Sequence, residues 1–294
     1  MNLQNIFNQI EQVDPEVYDR LDTRRQSMKR FASFGKALAA IAVPSAIGTM
    51  FKKAYGQTPA DVVDVLQFAL TLEYLEAEFY KAGVSSAAGA SAPADARTAL
   101  TIIRDHEIAH VTFLRGAISS LGATPVTFTA ASFDFSGGKG SGMGPFATAF
   151  TSLPVLLAAA QTFEDTGVRA YKGQAGRLIN NNDILTAALQ IHAVEARHAA
   201  KIRYMRRQLT AGSLIPAGVT LQPWITLNQS GIDAGPAANA AIQPSYNGEE
   251  LVVQAGITIT NINGQAISAN EASESFDEPL TKAQVLAIVD PFIK

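Results

Sequence analysis

Two copies of Glu-x-x-His, each inside a long helical pattern, constrain this chain of 294 residues more than any other feature. ALTIIRDHEIAHVTFLRG carries Glu107 and His110, and ALQIHAVEARHAAKIRYMRR carries Glu195 and His198. On an α-helix a spacing of three stacks both side chains on one face, one turn apart. A carboxylate and an imidazole aimed at one point suit a divalent first-row metal. Upstream of each copy lies a second recurrence, Glu73 with Tyr80 and Glu164 with Tyr171, again close to whole turns apart. Each tyrosine is therefore expected on the face of its own glutamate. The order Glu, Glu-x-x-His, Glu, Glu-x-x-His reads as one helix pair used twice.

Composition narrows the chemistry. The chain has no cysteine, so any metal must be held by oxygen and imidazole. A hydrophobic fraction of 47% with 17% charged residues describes a folded protein. A formal charge of −3 with 23 Lys plus Arg offers no basic stripe for nucleic acid.

Three segments follow from the pattern: an N-terminal arm over 1–57, a four-helix unit over 58–212 and a C-terminal extension over 213–294. In the arm, Leu3, Ile6, Phe7, Ile10 and Val13 have helical spacing. Residues 23–48 partly resemble a twin-arginine export signal through Arg24, Arg25, Lys29 and the apolar run that follows. They depart from it at Ser27 and in the acids before the pair, Glu11, Asp14, Glu16, Asp19 and Asp22. Export would place the protein in the periplasm; a packed arm would leave it in the cytoplasm. The apolar run is too short to span a bilayer and Pro44 interrupts it, so no transmembrane segment is expected.

Thr58-Pro59-Ala60-Asp61 predicts the start of a first helix that fades at Gly83. SSAAGASAP (85–93) reads as a turn. A second helix runs from about Pro93 to Leu121, stopped by Gly122. The connection 123–151 is long enough to cross from one end of a bundle to the other. Ser152-Leu153-Pro154 is expected to cap a third helix ending near Gly173–Gly176. A fourth spans about Ile184 to Leu209. Residues 214–270 read as a β or coil appendage remote from any metal, with strand-like alternation in ELVVQAGITITNI. A short closing helix is capped at Thr281.

Short, long and short connections make the helices of each pair antiparallel and the second and third parallel. That brings Glu73, Glu107, His110, Glu164, Glu195 and His198 into one core layer. Four carboxylates buried together repel one another and are costly to desolvate. Two divalent cations cancel the four negative charges, with two neutral imidazoles completing the shells. Glu76, one turn from Glu73, is a second candidate on the first helix. The repeat favours Glu73, because Glu76 aligns with Gly167. Glu78 is expected at the surface; His106 and His192 lie off the ligand direction.

With these motifs, LEYLEAEFY, TFEDTGVRAYKG, EARH and FDEPLTKAQVLAIVDPF, the chain resembles the ferritin-like superfamily. Within it, the chain is similar to the bacterial "ferritin-like domain" family related to plant desiccation-related proteins. The resemblance spans about 58–212 and the last twenty residues. It implies a mainly α fold: a ferritin-like four-helix bundle with a long crossover between helices two and three. It also implies two iron or manganese ions, with Glu73 and Glu164 terminal, Glu107 and Glu195 bridging, and His110 and His198 one per ion. The function expected is the handling of O2 or peroxide in oxidative or desiccation stress, by ferroxidase or catalase-like chemistry. Tyr80 or Tyr171 would donate an electron or a hydrogen bond. The alternatives are a stress-protective protein whose metals only hold the bundle together, or iron storage. A homo-oligomer is expected.

Overall fold

The computed structural model describes residues 59–294 apart from 210, 211, 255 and 263. The N-terminal arm, its export-signal resemblance and the capping Thr58 lie outside the described residues.

Four long helices carry the fold: α1 (Pro59–Ser85), α3 (Ala94–Ser120), α4 (Leu153–Ala175) and α5 (Asn182–Arg207). Between the first two sits a five-residue helix, α2 (Ala87–Ser91), where the sequence reads as a plain turn. Its N-cap Ser86 accepts from the Gly89 amide, which is enough to close one helical turn. At the end of α3, Gly122 takes φ +79° while Ala123 and Gly122 donate back to Ile118 and Ser119, a Schellman stop. Asn181 caps α5 by accepting from Ile184. Ser152 occupies the N-cap of α4 without a capping bond from its side chain; Pro154 in the first turn marks that start instead.

Helix directions follow from cross-contacts. Gln67 reaches Thr124 and Arg115 reaches Tyr74, so α1 and α3 are antiparallel. Gln161 pairs with Arg206 and His192 with Val168, so α4 and α5 are antiparallel. Tyr80 meets Glu164 and Tyr171 meets Glu73, so α1 opposes α4 and the crossover leaves α3 and α4 parallel. This is the expected four-helix bundle.

The crossover is ordered by phenylalanines. Phe79 of α1 lies edge-on to Phe163 of α4 at 5.0 Å and touches Phe135 and Phe150 of the crossover. Phe292 packs on Phe163 at 4.9 Å and on Phe146, so the chain's last residues close the same cluster. They also pair with the crossover as backbone: Asp134 donates to Phe292 at 2.8 Å and Lys294 to Ser132 at 3.0 Å.

The C-terminal extension holds α6 (Pro236–Ile242), two hairpins, α7 (Ala269–Ser273) and α8 (Lys282–Val289). The hairpins pair β1 (Val253–Gln254) with β2 (Ile257–Thr258), and β3 (Asn261–Ile262) with β4 (Gln265–Ala266). Each turns through a glycine at positive φ, Gly256 at +83° and Gly264 at +78°, a conformation β-carbons resist. Thr281 and Gln284 form the capping box of α8. Helix α6 corrects the β-or-coil reading of 214–270: its Ala-rich turns start at Gly235-Pro236, which favour a helix N-terminus.

Buried polar contacts tie this appendage to the bundle. Asp165, buried on α4, accepts from Arg203 of α5 at 2.5 Å and from the Tyr246 hydroxyl at 2.7 Å. Arg169, 1% exposed, pairs with Glu249 at 2.5 Å and donates to the carbonyls of Ser245, Asn247 and Glu278. Arg206 donates to the carbonyls of Leu214 and Gly231. A β-carbon at Gly173 would stand 1.9 Å from the Leu280 carbonyl oxygen, so α4 and the extension meet backbone to backbone there. Burial pushes the Glu249 carboxyl up to about 8 and the Arg206 guanidinium down to about 10, the cost of placing these charges inside.

Candidate metal centre

At mid-bundle the four helices point their acids and imidazoles inward. Glu73, Glu107, Glu164 and Glu195 are fully buried, and His110 and His198 nearly so. They divide into two clusters: Glu73, Glu107, His110 and Glu195, and Glu107, Glu164, Glu195 and His198.

Distances resolve how the clusters share their members. His110 Nδ1 lies 3.1 Å from Glu73 Oε2, 3.2 Å from Glu107 Oε2 and 3.1 Å from Glu195 Oε1. His198 Nδ1 lies 2.9 Å from Glu107 Oε1 and 3.3 Å from both Glu164 Oε2 and Glu195 Oε2. Glu107 and Glu195 therefore each direct one oxygen into each cluster, while Glu73 and Glu164 serve one cluster apiece.

These atoms are close, yet several make no hydrogen bond. Glu107 Oε1, Glu164 Oε2, both Glu195 oxygens and His198 Nδ1 are buried without a hydrogen-bond partner. Orphaned buried acceptors are expensive in a folded protein. Two donors bound at right angles to one ion through bonds of about 2.1 Å lie about 3.0 Å apart. The spacing thus fits lone pairs converging on a cation better than it fits mutual hydrogen bonding. Two such clusters can hold two metal ions.

The tyrosines cross over. Tyr80 of α1 donates to Glu164 Oε1 of α4 at 2.5 Å, and Tyr171 of α4 donates to Glu73 Oε1 of α1. Each tyrosine is buried together with its own helix's glutamate, and from that face the phenol reaches across the α1–α4 seam. Each phenol engages the outer oxygen of a carboxylate whose other oxygen faces a cluster, fixing that carboxylate's orientation.

Two more groups lie at the edge. Glu76, 4% exposed, belongs to neither cluster; its Oε1 would stand 3.3 Å from a β-carbon at Gly167. His106 reaches further in than its position on the helix suggests, with Nδ1 2.9 Å from His198 Nε2. Its pseudo-equivalent before Glu195 is Val194, so only the His198 cluster has this support. The adjacency of two histidine-bearing turns across the α3–α5 seam was the available signal, and it appears only when the helices are docked. His192 bonds the Val168 carbonyl instead, and Glu78 pairs with Lys81.

The matching family is the one described as a ferritin-like domain, over residues 61–208. The chain belongs to the ferritin-like domain family. No curated protein and no solved structure matches it. The family match covers all four long helices and every cluster residue, so the ferritin-like bundle and the paired clusters are parts of one unit. Among the described residues no helix is long and apolar enough to cross a membrane.

Without a cation the ferritin-like centre balances its charge with protons. Burial pushes the Glu73 carboxyl up to about 8, and Glu76 and Glu164 well above the usual carboxylate range. Burial opposes charge on His110 and His198 too, but the surrounding carboxylates overcome it and raise both imidazoles. Those imidazoles in turn hold Glu107 and Glu195 low.

A pH dependence follows. Groups raised in the folded state hold protons that the unfolded chain releases, so stability falls as pH rises between the two pKa values. The metal-free protein is expected to lose thermal stability from about pH 5 to pH 8. In the metal-loaded protein the cations replace those protons, so that fall is expected to disappear. Below about pH 6.5 the unfolded chain's histidines hold protons that metal-bound imidazoles do not, so there stability is expected to rise with pH instead. Glu249 is raised in both forms and cancels in the difference. Thermal melts of both forms across this range check it; parallel profiles would show that the centre does not exchange protons for metal.

Proposed function

We propose that the protein is a redox-active di-metal carboxylate protein whose paired iron or manganese ions meet O2 or peroxide during oxidative or desiccation stress. Glu73 and Glu164 are assigned as terminal ligands, Glu107 and Glu195 as bridges, and His110 and His198 as one imidazole per ion. The observation that carries the reading is the split of Glu107 and Glu195, one oxygen toward each imidazole. Two ions held by Glu107 and Glu195 in common would be able to act on one small oxidant. When bound, each ion supplies one electron, so the pair can convert O2 and two protons to hydrogen peroxide. Oxygen and nitrogen donors without sulfur suit iron and manganese. The four acids and two imidazoles would hold the ions, and the buried apolar shell keeps bulk water away. Tyr80 and Tyr171 orient the terminal carboxylates and are the phenols in contact with the centre, placed to donate an electron.

The test is metal analysis of protein purified from metal-replete cells, followed by mixing the loaded protein with O2 or peroxide. Two ions per chain and a change in metal oxidation state are expected. Full loading with no reaction toward either oxidant would favour a second reading, metals that only hold the bundle together, which the orphaned buried oxygens also support. Iron storage would require a hollow oligomer, visible as particle size.

The two glutamates of α1 are expected to differ. Glu73→Gln should lower metal content by about one ion per chain, because Glu73 is the terminal acid of the His110 cluster. Glu76→Gln should leave stoichiometry unchanged, since its carboxyl lies outside both clusters and burial raises it well above the usual carboxylate range. Equal losses in the two variants would reverse the assignment.

A further inference from the structure

A cavity of about 20 Å³ lies in the bundle core, lined by residues of all four long helices. Leu66 and Leu72 of α1, Leu114 of α3, Tyr171 of α4, and Ile184 and Ile191 of α5 are among its walls. Two of the lining residues carry polar side chains, and each has a hydrogen-bond partner outside the cavity. Gln174 Oε1 accepts from Arg177 Nη1 at 3.1 Å, and the Tyr171 hydroxyl donates to Glu73.

Size and chemistry together select an occupant. A space this small takes a molecule about the size of water or dioxygen and excludes an organic substrate. Apolar cavities stay dry and take up apolar gases such as xenon. Hydrogen peroxide carries hydroxyl donors and acceptors that would go unpaired here, and desolvating them is costly. Dioxygen has no such cost.

Position supplies the rest. Three lining residues are only half-buried: Phe113 of α3 and Ala187 and Ala188 of α5, so the cavity approaches the surface along the α3–α5 seam. Among its walls are Tyr171, bonded to Glu73, and Leu72, the residue next to Glu73. Leu72 is also a wall of a second, smaller cavity that contains Glu76 and Gly167. We propose that this cavity is a docking site for dioxygen, entered between α3 and α5 and ending beside the di-metal centre, so that the centre's oxidant is O2 rather than peroxide. The proposal rests on the redox reading above and selects its substrate.

Xenon tests the site apart from the metal. Crystals of the metal-free protein pressurised with xenon are expected to show one xenon atom between Leu72, Leu114, Tyr171 and Ile191. Ala188→Leu narrows the mouth and Ala117→Val fills the interior; either should remove the xenon with metal content unchanged. With the metal-loaded, reduced protein, the same variants should react with O2 about tenfold more slowly in stopped-flow mixing while their reaction with peroxide keeps the wild-type rate. Absence of xenon from the wild type overturns the proposal. So does an unchanged O2 rate in a variant that has lost xenon, or an equal slowing with both oxidants. If the loaded wild type reacts with neither oxidant, xenon in the cavity still upholds an apolar gas site, and it is the redox reading that fails.

Discussion

Replacing Glu195 and His198 together with alanine is expected to empty both metal positions, not one. Glu195 directs an oxygen into each cluster, at 3.1 Å from His110 Nδ1 and 3.3 Å from His198 Nδ1, so its loss removes a donor from both. His198 serves a single cluster. His198→Ala alone should therefore keep about one ion, held by Glu73, Glu107, His110 and Glu195. The stability effect is large because ligand binding to the folded state alone stabilises it by about 4 kcal/mol at a thousandfold excess over Kd. For a domain of this size that is a melting shift of about 10 °C per tightly bound ion. The double variant should melt well below the loaded wild type and gain nothing from added iron or manganese. Metal analysis and calorimetry with and without metal decide it; a double variant that still binds two ions would refute the shared-carboxylate geometry.

Asp165→Ala is the second large effect, and it acts away from the metals. Removing the carboxylate leaves the fully buried Arg203 guanidinium without its ion pair and the Tyr246 hydroxyl without an acceptor. Breaking one side of a buried pair costs about 3–5 kcal/mol, because the remaining charge stays desolvated. A melting decrease of about 10 °C is expected, with earlier proteolytic cleavage in residues 213–280. Asp165→Leu with Arg203→Met should recover much of the loss, since it removes both charges while keeping the volume filled. Metal content of the folded fraction should be unchanged, because neither residue belongs to a cluster. A melting temperature within about 1 °C of wild type would mean that the network does not hold the extension to α4.

Much of the centre was legible before any coordinates. Glu107 with His110 and Glu195 with His198 share a helix face by spacing alone, and the repeat chose Glu73 over Glu76 by aligning the latter with Gly167. Glu76 lies outside both clusters. The tyrosine crossing was not legible: which oxygen a phenol reaches depends on the distance between α1 and α4, and no spacing within one helix encodes it. His106 is a similar case, since its partner His198 lies on another helix. The anchoring of the extension is not legible in the sequence, because Tyr246 and Glu249 look like ordinary loop residues, and only their burial against Asp165 and Arg169 gives them weight.

By itself, then, the sequence determined the four long helices, their order, the donor types and the pairing of two half-sites. Those properties follow from periodicity, capping and the absence of cysteine, all local or compositional. Tertiary structure alone decided which oxygen faces which imidazole, which phenol crosses to which acid, and where an apolar cavity opens beside the centre. These depend on how far apart helix axes pack and which side chains fill the seams, a balance of steric fit and desolvation among residues distant in the chain.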